Sequence, residues 1–406
     1  MSDFSPAPTG APAIAAAPAV RSPSQEAAWE YAWTVREFTA SDAMAATGMT
    51  RSTVIDALEN LVGTGLLREL PNARDAGVYR KGRPARRFEL RDDAALLVGV
   101  DAGRTHITVV VADLRSQPLA THRVVADGTS EDVAQRRRVL AGAVDEALVL
   151  AGRTRDEVGA LCVGVPAPVD AAGRSPRHPE GFWDLMNPDL MSLFDWAVLR
   201  RVDNDASLAA VAEGAAGAAA GRRDYIALLA GDRLGAGVVL DGRLLRGAHG
   251  GVGEMIAFDH VEGVGSAHGL GQIAAQWAAE AVAAGEVDPA SPLALAPEID
   301  GRVVLELAAA GDPDARRITA RVSRVLALIV SVLGSIFDPS LVVVSGAVAA
   351  GVDEVADAAR RSLPTDLHLP APELVVSTLG ADVVVIGAVA AAADLARECL
   401  LERWSA

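Results

Sequence analysis

The sequence predicts an α/β protein in two parts: a small helix-rich head, then a large body of alternating strands and helices. Three observations carry this reading. Between residues 25 and 90, three short helical patterns precede two strand-like runs. From residue 94 onward, β-branched runs alternate with long Ala-rich stretches, as in sheets covered by helices. The charge divides the same way. The 406 residues carry a formal net charge of −16, yet residues 21–90 hold ten basic and nine acidic side chains.

Residues 1–23, rich in Ala, Pro and Ser, are expected to form a disordered tail. The head is expected over 24–92. Its first helix is predicted at 25–38, where Ala28, Tyr31, Ala32, Val35 and Phe38 recur at three- and four-residue steps. A second starts at Thr39 or Ser41 and stops at Gly48. A third follows Thr50, a good N-cap, carries Val54, Leu58, Leu61 and Val62 on one face, and ends at Gly63 or Gly65. Residues 66–70 and 86–90 read as strands flanking a polar, basic excursion.

In the body, strands are predicted at 96–100, 107–112, 160–165, 225–229, 236–240, 341–345 and 383–386. Helices are predicted at 130–150, 206–220, 271–284 and 315–336. Blocks opening at Val98 and Ala227 each run strand, glycine turn, second strand, which implies two related lobes. These are expected at 93–201 and 202–380, with 381–406 as a C-terminal helix returning to the first lobe.

Composition removes several classes of function. Hydrophobic residues make up 50% of the chain, but no stretch reads as a membrane span; the apolar run 325–337 is short and carries Ser and Gly. The first 18 residues begin acidic and are broken by Pro and Ser, unlike a signal peptide. A cytoplasmic protein is expected. Cys162 and Cys399 sit among apolar residues as reduced thiols, too few for a disulfide framework or a Cys-rich zinc site. No metal site is expected.

The order of helices and strands in the head matches a winged helix-turn-helix, with Thr47-Gly48-Met49 as the turn. That geometry presents Thr50, Arg51, Ser52 and Thr53 to a DNA major groove. Arg51 suits a guanine edge; the hydroxyls suit phosphates or base edges, or simply cap the helix. At the wing position, Arg80-Lys81-Gly82-Arg83-Pro84-Ala85-Arg86-Arg87 places five positive charges in eight residues. Arg83, in its Gly-Arg-Pro turn, suits a narrow minor groove, with Arg80 and Lys81 beside it as DNA contacts; Arg86 and Arg87 suit phosphates or a domain interface. The acidic body repels phosphate, so contact with a double-stranded operator is confined to the head.

Three elements of the body suggest phosphate and sugar chemistry. The first is Asp101, with Gly103 and Thr105 in the turn that follows; it resembles the turn that in sugar-kinase and actin-like proteins offers N–H groups to phosphate while its Asp interacts with a bound metal. The second is Asn204-Asp205-Ala206 before an Ala-rich helix. There a carboxylate can take a hydroxyl proton, or can cap the helix. The third is the glycine-rich run from Gly231 through Gly235 and Gly237 to Glu254.

These motifs together resemble the ROK family of repressors, open reading frames and kinases, over residues 25–400. Gly164-Val165-Pro166-Ala167-Pro168-Val169-Asp170 is similar to the family's Gly-x-Pro-Gly-Pro-Val-Asp segment. Asn204-Asp205-Ala206 with Glu213 is similar to its catalytic block, and Gly235 through Glu254 to its signature. Val342 through Gly346, after Phe337-Asp338-Pro339, resembles its adenosine-side strand, and Gly387-Ala388 its closing helix. The resemblance implies a two-lobed, actin-like (ribonuclease-H-like) sugar-kinase body. It assigns Asp205 as a vestigial catalytic base, and Asn204, Asp205 and Glu254 as effector contacts. Asp101, Gly103, Thr105, Gly235, Gly237 and Gly346 become vestigial nucleotide contacts.

The departures are equally specific. Asp232-Arg233 replaces the Thr-Gly pair of the second phosphate loop, and an acid there repels phosphate. Gly253-Glu254-Met255-Ile256-Ala257 lacks the family's His, the Cys-rich zinc cluster is missing, and Ser345 replaces a Gly. The resemblance therefore implies a regulator, a repressor acting as a homodimer or homotetramer, whose body senses a sugar or derivative, without zinc and with ATP doubtful. The alternative is an ATP-dependent sugar kinase with a DNA-binding appendage.

Overall fold

The computed structural model describes residues 22–71, 85–231, 233–346, 352–364 and 369–404. The head opens with α1 (Pro23–Thr34), whose Pro stands in the first turn, where a missing N–H costs nothing. Helix was expected through Phe38, but α1 stops at Thr34 and β1 (Glu37–Thr39) follows. Val35 and Phe38 fit either period. Pairing decides, because Phe38 lies opposite Phe88 in an antiparallel ladder and is buried there. Next, α2 (Ala40–Thr47) starts with Thr39 and Asp42 bonding each other's backbone N–H, and closes on Gly48 at φ +71, a left-handed turn that suits glycine. Thr50 then caps α3 (Arg51–Gly63). β2 (Leu67–Leu70) and β3 (Arg87–Leu90) complete a sheet of order β1-β3-β2. Trp29, Val54, Leu58, Leu61, Leu66 and Phe88 are buried between helices and sheet.

The first sheet of the body comprises β4 (Leu96–Ala102), β5 (His106–Ala112), β6 (Pro118–Val125), β7 (Val158–Val165) and β8 (Arg200–Asn204). Around it lie α4 (Val133–Leu150), α5 (Phe182–Met186) and α6 (Leu190–Leu193). Its order is β6-β5-β4-β7-β8: an antiparallel meander, then two parallel strands. The second half repeats the plan. After α7 (Asp205–Ala216) come β9 (Tyr225–Ala230), β10 (Leu234–Leu240) and β11 (Arg243–Leu245). Then α8 (Leu270–Ala283), α9 (Gly301–Ala309) and α10 (Pro313–Phe337) precede β12 (Leu341–Ser345), α11 (Val352–Ser362) and β13 (Glu373–Val376). The order β11-β10-β9-β12-β13 matches the first sheet strand for strand. The expected lobe division at 201/202 falls inside β8, which belongs wholly to the first sheet.

Residues 383–386 were expected to be a strand; they open the helix α12 (Val383–Arg403). β-branched residues favour strands only where a pleated neighbour exists, and here the run is buried between α7 and the first sheet. Gly387 makes that possible: a Cβ there would stand 1.9 Å from the Leu208 carbonyl oxygen of α7. By length and composition α10 passes for a membrane span, with a mean hydropathy of 1.8, correcting the expectation that no stretch does. In this fold it is a core helix. Ile318, Val322, Leu326, Ile329 and Leu333 are buried, and Arg321 covers the Trp277 ring at 3.8 Å.

Candidate functional site

In the head, Thr50, Arg51 and Ser52 are exposed at the start of α3, and Thr53 is half-buried. The Thr50 hydroxyl lies 2.9 Å from that of Thr53 and 3.2 Å from that of Ser52, so these three knit the cap together. Arg51 makes no hydrogen bond or ion pair with any described residue. Three other head arginines are committed. Arg68 pairs with Glu89, and Arg87 lies 3.4 Å from Glu37. Arg86 forks onto both Glu69 oxygens at 2.8 and 2.9 Å and reaches Glu59 at 2.7 Å. These bonds hold its guanidinium further into the charged state. Arg86 was expected at phosphate; two carboxylates take its donors instead, and that expectation is withdrawn. Arg80, Lys81 and Arg83 lie outside the described residues.

The second site lies between the two sheets. Asp101, at the end of β4, is buried, and its Oδ2 stands 3.0 Å from His106 Nε2. The His106 ring leans over the glycine turn, 2.6 Å from where a Cβ on Gly103 would stand. It stands on the side toward which a side chain at Gly103 would point. Behind the turn, Arg136 of α4 donates to the Ala102 and Gly103 carbonyls at 2.6 and 3.1 Å. Burial pushes its guanidinium down to about 10, against the pull of Asp101. Thr105 is exposed, and its carbonyl accepts from the Ala126 N–H at 2.9 Å.

On the other side, Asn204 caps α7. Its Oδ1 accepts from the Ser207 N–H at 3.0 Å, and its Nδ2 donates to the Ala167 carbonyl at 3.1 Å. Both polar atoms serve the fold, so the expected effector contact through Asn204 is withdrawn. The cap read as an alternative for Asp205 belongs to its neighbour. Asp205, half-buried, bonds the Ala206 N–H at 2.7 Å. Burial pushes its carboxyl up to about 7; the charges of Asp101 and Glu254 add to this, and the Ala206 N–H opposes it. Glu254 pairs by a single bridge with Gly235; burial raises its carboxyl while the Arg233 charge lowers it. Asp205 thus feels two other acids, Asp101 and Glu254.

The glycines of β10 were expected at nucleotide. They sit instead against α7: a Cβ on Gly237 would be 2.2 Å from the Ala206 carbonyl oxygen, and one on Gly235 3.1 Å from the Ala206 Cβ. Close helix–strand packing explains them. Gly346 ends β12 at φ +108, and Ser345 donates to Glu213 Oε1 at 2.8 Å, both fully buried. Asp232 lies outside the described residues. Sequence reasoning missed His106, Arg136 and the 2.7 Å pair of buried Asp203 with Arg246. Only His106, three residues past the glycine it covers, stood close enough in sequence to be noticed. Among the described residues, no three His, Cys, Asp or Glu side chains gather as metal ligands.

The raised carboxyl of Asp205 has a signed consequence. Its folded value lies above the ordinary 3.8, so the folded chain binds more protons between about 4 and 7, and stability falls as pH rises through that window. Asp205→Asn is therefore expected to raise the unfolding free energy at pH 8, on the order of 1–2 kcal/mol, and to give no gain near pH 4. Thermal unfolding of both proteins across pH checks this; a gain that grows toward acid contradicts it.

Two sheets of one topology, packed with helices, define the class: actin-like α/β bodies of the sugar-kinase type. The chain belongs to the ROK family, whose model matches residues 97–398. It is 34% identical over 233 residues to the bifunctional enzyme NanE/NanK of Brucella suis, covering 53% of this chain and 40% of that protein. The chain thus spans less than half the length of that relative. It is 28% identical over 331 residues to the glucokinase of Streptomyces coelicolor, covering 75% of this chain and 98% of the kinase. Among solved structures, a ROK family transcriptional regulator, homologous to the E. coli MLC protein, superimposes with a TM-score of 0.73 at 19% identity. It covers 93% of this chain and 98% of its own. The kinase match can be contained in the body; the regulator's fold extends into the head.

Proposed function

We propose that this chain is a sequence-specific DNA-binding regulator, a repressor, whose kinase-like body has become an effector and dimerisation module. The observation that carries it is Arg51: exposed at the N-terminus of α3 and uncommitted to any described residue, while Arg68, Arg86 and Arg87 of the same head face carboxylates. The head reads as a winged helix-turn-helix, with α3 as the recognition helix and Thr50, Ser52 and Thr53 flanking Arg51 at the groove. The partner is an operator duplex, and a two-fold dimer, or a tetramer of two dimers, suits a palindromic site. The location is cytoplasmic, where the operator is. A sugar or derivative entering between the lobes, contacting Asp205 and Glu254, would bias their arrangement. The His106 ring over the Gly103 turn and the β10 glycines packed on α7 favour a body without ATP, and the missing His and Cys-rich cluster favour one without zinc.

The test is selection of fragments from sheared genomic DNA by the purified full-length protein. Enrichment of fragments sharing one short, two-fold symmetric motif is expected. Recovery no better than that of a bait-free control contradicts the proposal.

One observation favours the kinase alternative: a carboxyl pushed up to about 7 is well placed to take a hydroxyl proton near neutral pH. Turnover of ATP with a panel of hexoses and N-acetylated amino sugars separates the two. No sugar-dependent turnover is expected; turnover abolished by Asp205→Ala would make the chain a kinase.

A further inference from the structure

The body holds the head at two separate places. The first is Arg115, in the hairpin joining β5 to β6 on the first sheet. Its guanidinium donates to the carbonyls of Ala32, Trp33 and Val35 at 3.1, 2.8 and 2.7 Å, and its Nε lies 3.3 Å from Asp92. Those carbonyls cluster where α1 ends, the negative pole of the helix, where an arginine is favoured. The second grip comes from α12. The Trp29 indole N–H on α1 donates to the Arg397 carbonyl at 2.8 Å, and the Arg397 side chain stands 3.6 Å from Glu30. Trp404, buried just past the end of α12, donates its indole N–H at 2.8 Å to the carbonyl of Thr64, the residue that closes α3.

The far end of α12 lies at the site between the lobes. Asp382 pairs with Arg123 of β6 at 2.6 Å, and Gly387 is pressed against the backbone of α7 at Leu208, one turn from Asp205. A helix of 21 residues spans about 30 Å and bends little, so displacement at one end is felt at the other. Arg115 sits on the first sheet, and α12 packs on both that sheet and α7. A shift of α7 therefore bears on the α12 grip directly and on the Arg115 grip only through the sheet.

We infer that Arg115 and Trp404 form a two-point joint through which α12 couples the site between the lobes to the pose of α3. This rests on the regulator reading for its purpose, but the mechanical link can be tested apart from it. By reciprocity, if occupancy of the cleft reorients the head, then holding the head must alter the cleft.

The experiment is hydrogen exchange on the full chain, with and without the duplex pool enriched from genomic DNA. Bound duplex is expected to slow exchange in α12 and in the first turn of α7 by about fivefold or more, besides protecting the head. Trp404→Phe keeps an aromatic ring, though a smaller one, and loses the N–H; Arg115→Lys keeps the charge and loses the fork. The double variant should still bind duplex while the change at α7 disappears. Protection confined to the head in the native protein overturns the joint. Should no duplex bind at all, the regulator reading fails, and the variants still decide the joint in free protein. Faster exchange at the first turn of α7 in Trp404→Phe or Arg115→Lys supports coupling, and unchanged exchange there refutes it.

Discussion

Arg51→Ala is expected to weaken binding to the enriched duplex by about 1–3 kcal/mol, roughly five- to 150-fold, and to relax preference at one base pair. The size follows from geometry. Thr50 already turns its hydroxyl to Thr53 and Ser52, so at the tip of α3 it is the guanidinium that is free to bond a base edge bidentately. Arg86→Ala is the control: its donors already lie on Glu59 and Glu69, so it should lose far less duplex affinity. Fluorescence anisotropy with the preferred duplex and single-base variants reads both. Native-like binding by Arg51→Ala would mean that α3 does not enter the groove by its N-terminus.

Gly387→Val should destabilise the body by about 3 kcal/mol or more, the upper range for overpacking. Every nearest atom to the added Cβ is backbone: the Leu208 oxygen at 1.9 Å, its carbonyl carbon at 2.6 Å and its Cα at 3.1 Å. No rotamer change relieves such a contact. The helices must move apart, opening the layer that holds Val384, Ala388 and Ala392 buried. Chemical unfolding measures the loss. A midpoint within error of the native protein would show that α12 and α7 do not approach so closely.

Short-range signals were legible in the sequence. Gly48 and Thr50 mark the turn and cap between α2 and α3 because both act within a few residues. The strand–turn–strand blocks at Val98 and Ala227 announced the repeated sheets, since each lobe opens with the same hairpin. Errors came where distant partners decide. The end of α1 depends on β3, some fifty residues on, and Val383-Val384-Val385-Ile386 is helical because α7 and the first sheet enclose it. Strand β6 opens with Pro118 and lies half-exposed at a sheet edge, while β11 and β13 span only three and four residues, too short for periodicity to register.

The candidate site divides along the same line. Asp101, Asp205 and Glu254 were found because each sits in a local motif, and all three bear on one cleft. What their neighbours do was not legible. Asn204 reaches Ala167 across 37 residues, Arg86 reaches Glu59 across 27, and Trp404 reaches Thr64 across 340. No pattern in the chain encodes such meetings. Glycines that read as phosphate contacts turned out to let α7 lie against β10, since close approach to a helix and to a ligand makes the same demand.

The most direct test of DNA recognition by the head is the affinity of the full-length protein for its enriched duplex, against a scrambled duplex, across a series of salt concentrations. Recognition predicts tighter binding to the enriched duplex, and a logarithm of affinity that falls linearly with the logarithm of salt, by about 0.9 for each phosphate neutralised. Equal affinity for both duplexes, or an affinity indifferent to salt, would contradict it.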